Sequence, residues 1–204
     1  MTRELRSTDE KPALKDENKI AGYAAVYGSR SVDLGGFVEV LKPGCFDRCL
    51  SEAQDVRGLF NHDANCVLGR TAAGTCRIKS DEHGLAYEID LADRQLDRDL
   101  RVSMKRGDVT GSSFAFLVAP DGDSWNMDSS GLIVREVNRV QTLYDVSPVT
   151  YPAYLATESS IRAQQLRSAG EADAAAMAKA KQMRQWEGQR MRMRQRQAEA
   201  EAKS

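Results

Sequence analysis

The sequence lacks any long hydrophobic run. Residues 1–19 are polar and charged, without the apolar core of a signal peptide, and no later run is long enough to span a bilayer. We therefore expect a chain that stays in the cytosol where it is made and has no membrane partner. In that compartment its four cysteines are expected to be reduced thiols.

The sequence also lacks an excess of charge of either sign. The formal net charge is -1, which gives no reason to expect a nucleic-acid partner. The charges are nevertheless unevenly placed, because residues 163–204 contain nine basic and five acidic residues and so carry +4. A moderately acidic body is followed by a basic tail.

Composition divides the chain into three parts. Residues 1–18 are highly charged with few large apolar groups, which predicts a disordered N-terminal arm. Residues 19–162 carry the apolar pattern of one folded domain. Residues 163–204 are rich in helix-forming Ala, Gln, Arg, Glu and Met, which predicts a helical or disordered tail. This tail is either solvated or docks on a partner through its large apolar residues, which are Met177, Met183, Trp186, Met191 and Met193.

The folded part is predicted to be α+β and rich in strands. A short helix is expected at 45–53, and an amphipathic one at 93–106, where Leu96, Leu100 and Met104 recur at helical spacing. Short apolar segments between turn residues predict strands at 20–27, 37–41, 56–60, 75–78, 85–91, 109–118, 132–137 and 139–146. Many short strands with few helices indicate a β-barrel or a rolled sheet.

Scarce histidine narrows the search for catalytic residues. Of the two histidines, His83 lies in a polar turn, whereas His62 ends a predicted strand. Ser113 follows a glycine hinge on a strand where alternation places it on the face opposite Phe114. Asp145 lies near the end of an apolar strand, where a carboxylate is costly to bury unless it is paired. A serine, a histidine and a carboxylate are the parts of a nucleophilic hydrolase.

A zinc site is the alternative use of the same histidine. Cys45 and Cys49 are followed, after twelve residues, by His62 and Cys66, a spacing that resembles zinc ligation. Cys45 and Cys49 are equally compatible with burial as small apolar residues on one helix face. Each of the three proposed catalytic residues likewise has a purely structural interpretation, as a strand or turn residue.

Several segments together resemble the prohead maturation proteases of tailed bacteriophages. They occur in the family's order over residues 19–162 and read GYAAVYG, FVEVLKPGCF, GLFNHD, VLGRT, GLAYEIDL, RGDVTGSSFAF and YDVSPVTYPAY. The resemblance implies a serine endopeptidase whose fold is related to the herpesvirus assemblins, a closed β-barrel ringed by helices. It also implies His62 as base and Ser113 as nucleophile. It implies Asp145 as the third member, at a position where the family usually has glutamate.

The resemblance also implies a substrate and a place of action. The substrate would be the scaffolding portion of the major capsid protein, cleaved inside an assembling prohead in the host bacterial cytoplasm, and the enzyme would also process itself. No cofactor is implied, and self-association is left open. The alternative function is a non-catalytic assembly factor that keeps the fold and binds capsid protein through its tail.

Overall fold

The structure, a computed structural model, describes residues 3–151 and consists mainly of short strands. Its elements, in chain order, are β1 (Glu4–Thr8), β2 (Ala13–Asp16), β3 (Lys19–Val26), β4 (Phe37–Leu41), α1 (Asp47–Ser51), β5 (Arg57–Phe60), β6 (Asp63–Arg70), β7 (Cys76–Ser80), β8 (Gly84–Asp90), α2 (Gln95–Arg106), β9 (Gly111–Val118), β10 (Asp123–Met127), β11 (Ile133–Val137) and β12 (Val140–Val149). A 3₁₀ turn at Thr71–Ala73 joins β6 to β7. The expected β-rich α+β class is confirmed.

Three sheets share these strands. The five-stranded sheet has the order β1-β9-β12-β5-β6, the four-stranded sheet β2-β3-β8-β7, and the three-stranded sheet β10-β11-β4. β12 runs antiparallel to β9 and parallel to β5, so it lies at the centre of the five-stranded sheet. As the central strand, β12 has a hydrogen-bonded neighbour along each of its edges.

The core is formed by apolar side chains from all three sheets. Phe114 and Phe116 of β9 stack with ring centroids 4.8 Å apart, and Phe46 meets Phe114 edge-on at 5.5 Å. Ile20, Leu85 and Ile89 from the four-stranded sheet are fully buried in the same cluster. Burial of these large side chains supplies most of the driving force for folding.

The longer helix begins and ends at residues suited to those positions. At its start, the Asp97 carboxylate accepts a hydrogen bond from the Arg94 backbone N–H, 2.9 Å away, which satisfies a donor that the helix leaves unpaired. At its end, Gly107 adopts a φ of +83°, a left-handed conformation that glycine reaches without strain. Between them, Leu100 is buried and Leu96 and Met104 pack against the core. The predicted amphipathic helix is therefore present.

The expected closed barrel is not formed. Within residues 3–151 each sheet is open, and β1 and β6, the two edges of the five-stranded sheet, do not pair with each other. The number of short strands predicts closure, but the strands are divided among three separate sheets instead. Two helices accompany them in the described part of the chain, and neither is long and apolar enough to cross a membrane.

The N-terminal arm differs from the disorder expected of residues 1–18, because it contains β1 and β2. Its charges are paired with residues distant in sequence: the Arg6 guanidinium lies 2.9 Å from Glu39, and Arg135 lies 2.6 Å from Glu4. Ion pairing with such partners makes burial of β1 tolerable. The predicted domain boundary after residue 162 and the predicted tail lie outside the described residues.

Candidate active site

Two neighbouring strands and a hairpin turn bring the three predicted residues together. Ser113 lies in β9 and Asp145 in β12, and His62 lies in the turn between β5 and β6. The register of the β9–β12 pair places Asp145 beside Ala115 and Ser147 beside Ser113. The three side chains are thus assembled by pairing within one sheet.

Hydrogen bonds connect the three side chains in a chain. His62 Nε2 lies 2.7 Å from Ser113 Oγ, and His62 Nδ1 lies 2.5 Å from Asp145 Oδ1. An ionised carboxylate only accepts hydrogen bonds, so Nδ1 carries the proton toward Asp145 and Nε2 presents its lone pair to the serine. This arrangement suits a histidine that removes the proton of a serine nucleophile.

The turn that carries His62 has an uncommon backbone conformation. Phe60 pairs with Asp63 across a two-residue turn in which Asn61 has φ +52° and His62 has φ +59°. Positive φ at both positions matches the turn that joins tightly twisted antiparallel strands, and asparagine favours it whereas histidine adopts it at some cost. The turn is held to β12, because Asn61 N donates to the Pro148 carbonyl (3.1 Å) and Asn61 Oδ1 accepts from Thr150 N (2.9 Å).

The two adjacent serines of β9 point in opposite directions. Ser112 Oγ lies 3.0 Å from the Tyr87 hydroxyl inside the core, whereas Ser113 Oγ faces His62. Strand alternation, applied to the sequence, predicts this division. Both serines are fully buried, so exposure does not distinguish them.

Buried Asp145 is satisfied by more partners than His62. Its Oδ1 also accepts a hydrogen bond from Ser147 Oγ at 2.9 Å, and its Oδ2 lies 2.5 Å from Arg3 Nη2. Burial of the carboxylate is therefore compensated by one cation and two further hydrogen bonds. Neither Arg3 nor Ser147 is predicted by the sequence arguments above. Ser147 lies two residues beyond Asp145 on one strand, so alternation alone could have placed the two side chains together.

Strand β1 covers the other side of Ser113. Ser7 of β1 is paired with Ser113, and the Ser113 hydroxyl lies 2.7 Å from the Arg6 carbonyl oxygen. The approach is close, since a Cβ at Gly111 would lie 2.8 Å from the Thr8 carbonyl oxygen. Ser113 is thus flanked by β12 on one side and by β1 on the other.

The arrangement around His62 does not support the alternative zinc site. The two ring nitrogens of His62 face Asp145 and Ser113, while Cys45 and Cys49 are buried in the core. Within residues 3–151 no group of three or more His, Cys, Asp or Glu side chains is placed to hold a metal ion. Cys66 lies instead 3.6 Å from Asp63 within its own hairpin.

A serine, a histidine and a buried aspartate connected in this way define the class of serine hydrolases. Residues 3–171 of the chain match the family described as Caudovirus prohead serine protease, so the chain belongs to that family. It is a serine protease that acts in capsid maturation, and the resemblance seen in the sequence is confirmed.

A comparison with solved structures agrees with this assignment at the level of the fold. The capsid assembly protease of bacteriophage T4 matches with a TM-score of 0.50 and 12% sequence identity, over 74% of this chain and 98% of that chain. At this identity the likeness bears on the fold alone. No curated protein matches the chain.

Proposed function

We propose that the protein is an endopeptidase with a catalytic triad of His62, Ser113 and Asp145. The observation that carries the proposal is the unbroken hydrogen-bonded chain from Ser113 Oγ through the imidazole to the Asp145 carboxylate, with distances of 2.7 and 2.5 Å. The three residues come from separate segments, so the hydrogen bonds between them do not follow from closeness in the chain. A serine, an imidazole and a carboxylate connected in this sequence favour catalysis over a purely structural role.

The triad would cleave a peptide bond in two steps. In the first step, His62 Nε2 takes the Ser113 proton while Ser113 Oγ bonds to the scissile carbonyl carbon, and the imidazolium then gives that proton to the leaving amine. In the second step, water takes the place of the amine: His62 takes a proton from the water as the water oxygen bonds to the acyl carbon. The bond from that carbon to Ser113 Oγ then breaks, and the imidazolium returns the proton to Ser113 Oγ. Asp145 holds the imidazole tautomer and stabilises its charged form, and no cofactor is required.

The proposed substrate is the scaffolding portion of the major capsid protein. Cleavage would take place inside the assembling prohead in the host bacterial cytoplasm, and the enzyme would also cleave itself. Family membership supports this substrate. An extended segment of the capsid protein could bind by pairing with a strand edge near Ser113.

The experiment that tests this proposal is co-expression with the major capsid protein. Cleavage should occur with the parent chain and with Ser112→Ala, and it should be lost with Ser113→Ala and with His62→Ala while both variants remain folded. Ser112→Ala is a matched control, because it removes an adjacent hydroxyl that points away from His62. Cleavage that persists with Ser113→Ala would instead favour a non-catalytic assembly factor.

Residues 163–204 are proposed to deliver the protease to the shell. Their charge of +4 and their Met and Trp residues suit a partner surface. A chain that ends at residue 162 should still cleave an unfolded capsid-scaffold peptide but should be depleted from assembled proheads. Packaging at the parent level would contradict the docking role.

A further inference from the structure

We propose that Ser147 is a positioning residue that holds the Asp145 carboxylate against His62. This inference rests on the proposed triad. The Ser147 side chain is fully buried, and its Oγ lies 2.9 Å from Asp145 Oδ1 and 3.4 Å from His62 Nδ1. Within residues 3–151 the Ser147 hydroxyl makes hydrogen bonds to these two triad members alone.

The position of Ser147 follows from strand geometry. Asp145 and Ser147 are two residues apart in β12, so their side chains share one face of the strand, and Ser147 lies directly beside Ser113 of β9. Because an ionised carboxylate accepts hydrogen bonds and does not donate them, the Ser147 hydroxyl donates to Asp145.

The two oxygens of Asp145 are drawn in different directions. Oδ1 receives hydrogen bonds from His62 and Ser147, whereas Oδ2 forms an ion pair with Arg3, whose side chain is 47% exposed. Without the Ser147 donor, a single hydrogen bond to His62 would oppose the pull of Arg3. The carboxylate could then rotate toward Arg3 and lose the contact that fixes the imidazole tautomer.

Ser147→Ala should therefore reduce catalysis without affecting substrate binding. We expect kcat to fall roughly ten- to hundredfold, the range that corresponds to one hydrogen bond to a charged group, while KM stays near the parent value. Ser147→Thr keeps the hydroxyl and should recover most of kcat. Ser112→Ala is the control for loss of a buried strand hydroxyl, and it should leave kcat unchanged.

A spectroscopic measurement separates positioning from a purely structural role. In ¹⁵N-histidine-labelled protein only two imidazoles are visible, and His83→Gln assigns them. The Nδ1 proton of His62 should give a strongly downfield signal in the parent and in Ser112→Ala, and this signal should move upfield or broaden in Ser147→Ala. An unchanged signal with unchanged kcat would overturn the inference. If Ser113→Ala is inactive in the same assay, the proposed triad stands whichever result Ser147 gives.

Discussion

The contact between Ser112 and Tyr87 predicts that the two adjacent serines of β9 have separable roles. The two hydroxyl oxygens lie 3.0 Å apart, and both residues are buried, with exposures of 0% and 2%. The backbone also closes around them, since a Cβ at Gly22 would lie 3.2 Å from each oxygen. Ser112→Ala therefore leaves the phenol hydroxyl buried without this partner, at a cost of about 1–3 kcal/mol in the free energy of unfolding.

The reciprocal change completes a double-mutant cycle. Tyr87→Phe should destabilise by a similar amount, and the double variant should cost less than the two single changes added, because it leaves neither hydroxyl unpaired. With a urea slope of about 1–3 kcal/mol per molar, each single change should move the unfolding midpoint by roughly 1 M. All three variants, once folded, should still cleave the capsid-scaffold peptide.

Urea unfolding and peptide cleavage, measured on the same preparations, check this reasoning. Additive effects of the two changes would mean that the two hydroxyls do not interact. A folded Ser112→Ala protein without activity would reverse the assignment of the nucleophile, since Ser113 alone would then be insufficient.

Three further predictions concern charge and protonation. Asp145→Asn should lower kcat roughly 10³–10⁴-fold, because an amide can favour the wrong imidazole tautomer. Asp145→Glu should retain part of the activity. Near-parent turnover of Asp145→Asn would remove Asp145 from the proposed triad. Alkylation of the native protein at neutral pH, followed by mass spectrometry, should modify Cys66 first. The other three thiols are buried, and burial raises the pKa of Cys49 to about 11 and the pKa values of Cys45 and Cys76 to about 12. Hydrogen bonds from basic side chains, that of Lys15 first, lower the pKa of Glu88 from 4.5 to about 2. The stabilising effect of Glu88 is therefore present above pH 4.5 and is lost as the pH falls toward 2. Acid titration of Glu88→Gln should show a weaker loss of stability than the parent over that interval, and an identical loss would contradict the effect.

Local sequence patterns predicted the elements whose apolar residues face the core. Strands β3, β8, β9 and β12 and helix α2 follow from period-two or helical spacing of large apolar residues, which depends only on near neighbours in the chain. The hypothesis that His62, Ser113 and Asp145 act together has a different basis. It depends on the scarcity of histidine, on strand alternation at Ser113, on the cost of burying a carboxylate at Asp145 and on the family resemblance.

Features that depend on distant partners were not predicted. The sequence of β1 is typical of a charged, disordered arm. In the structure Glu4 and Arg6 are paired with Arg135 and Glu39, and these partners lie too far along the chain for a local pattern to show them. The contact of Arg3 with the site was not predicted for the same reason, since its partner Asp145 is 142 positions away in the sequence. Sheet closure likewise depends on which edges meet, and strand counts alone do not determine that.

Strand β12 carries or contacts each of the three candidate catalytic residues and so fixes their relative positions. It contains Asp145, it pairs with Ser113 through Ser147, and its end binds the His62 turn through Asn61. The positive φ of His62 costs conformational energy, and hydrogen bonds from its turn to β12 compensate for that cost. Because β12 also carries Asp145, the imidazole and the carboxylate move together. β1 pairs with β9 along the edge opposite to β12, so Ser113 lies between two paired strands. The placement of the three candidate residues therefore depends on the pairing of β12 with both β9 and β5, and a change that shifts this register would separate the serine from the histidine and the aspartate.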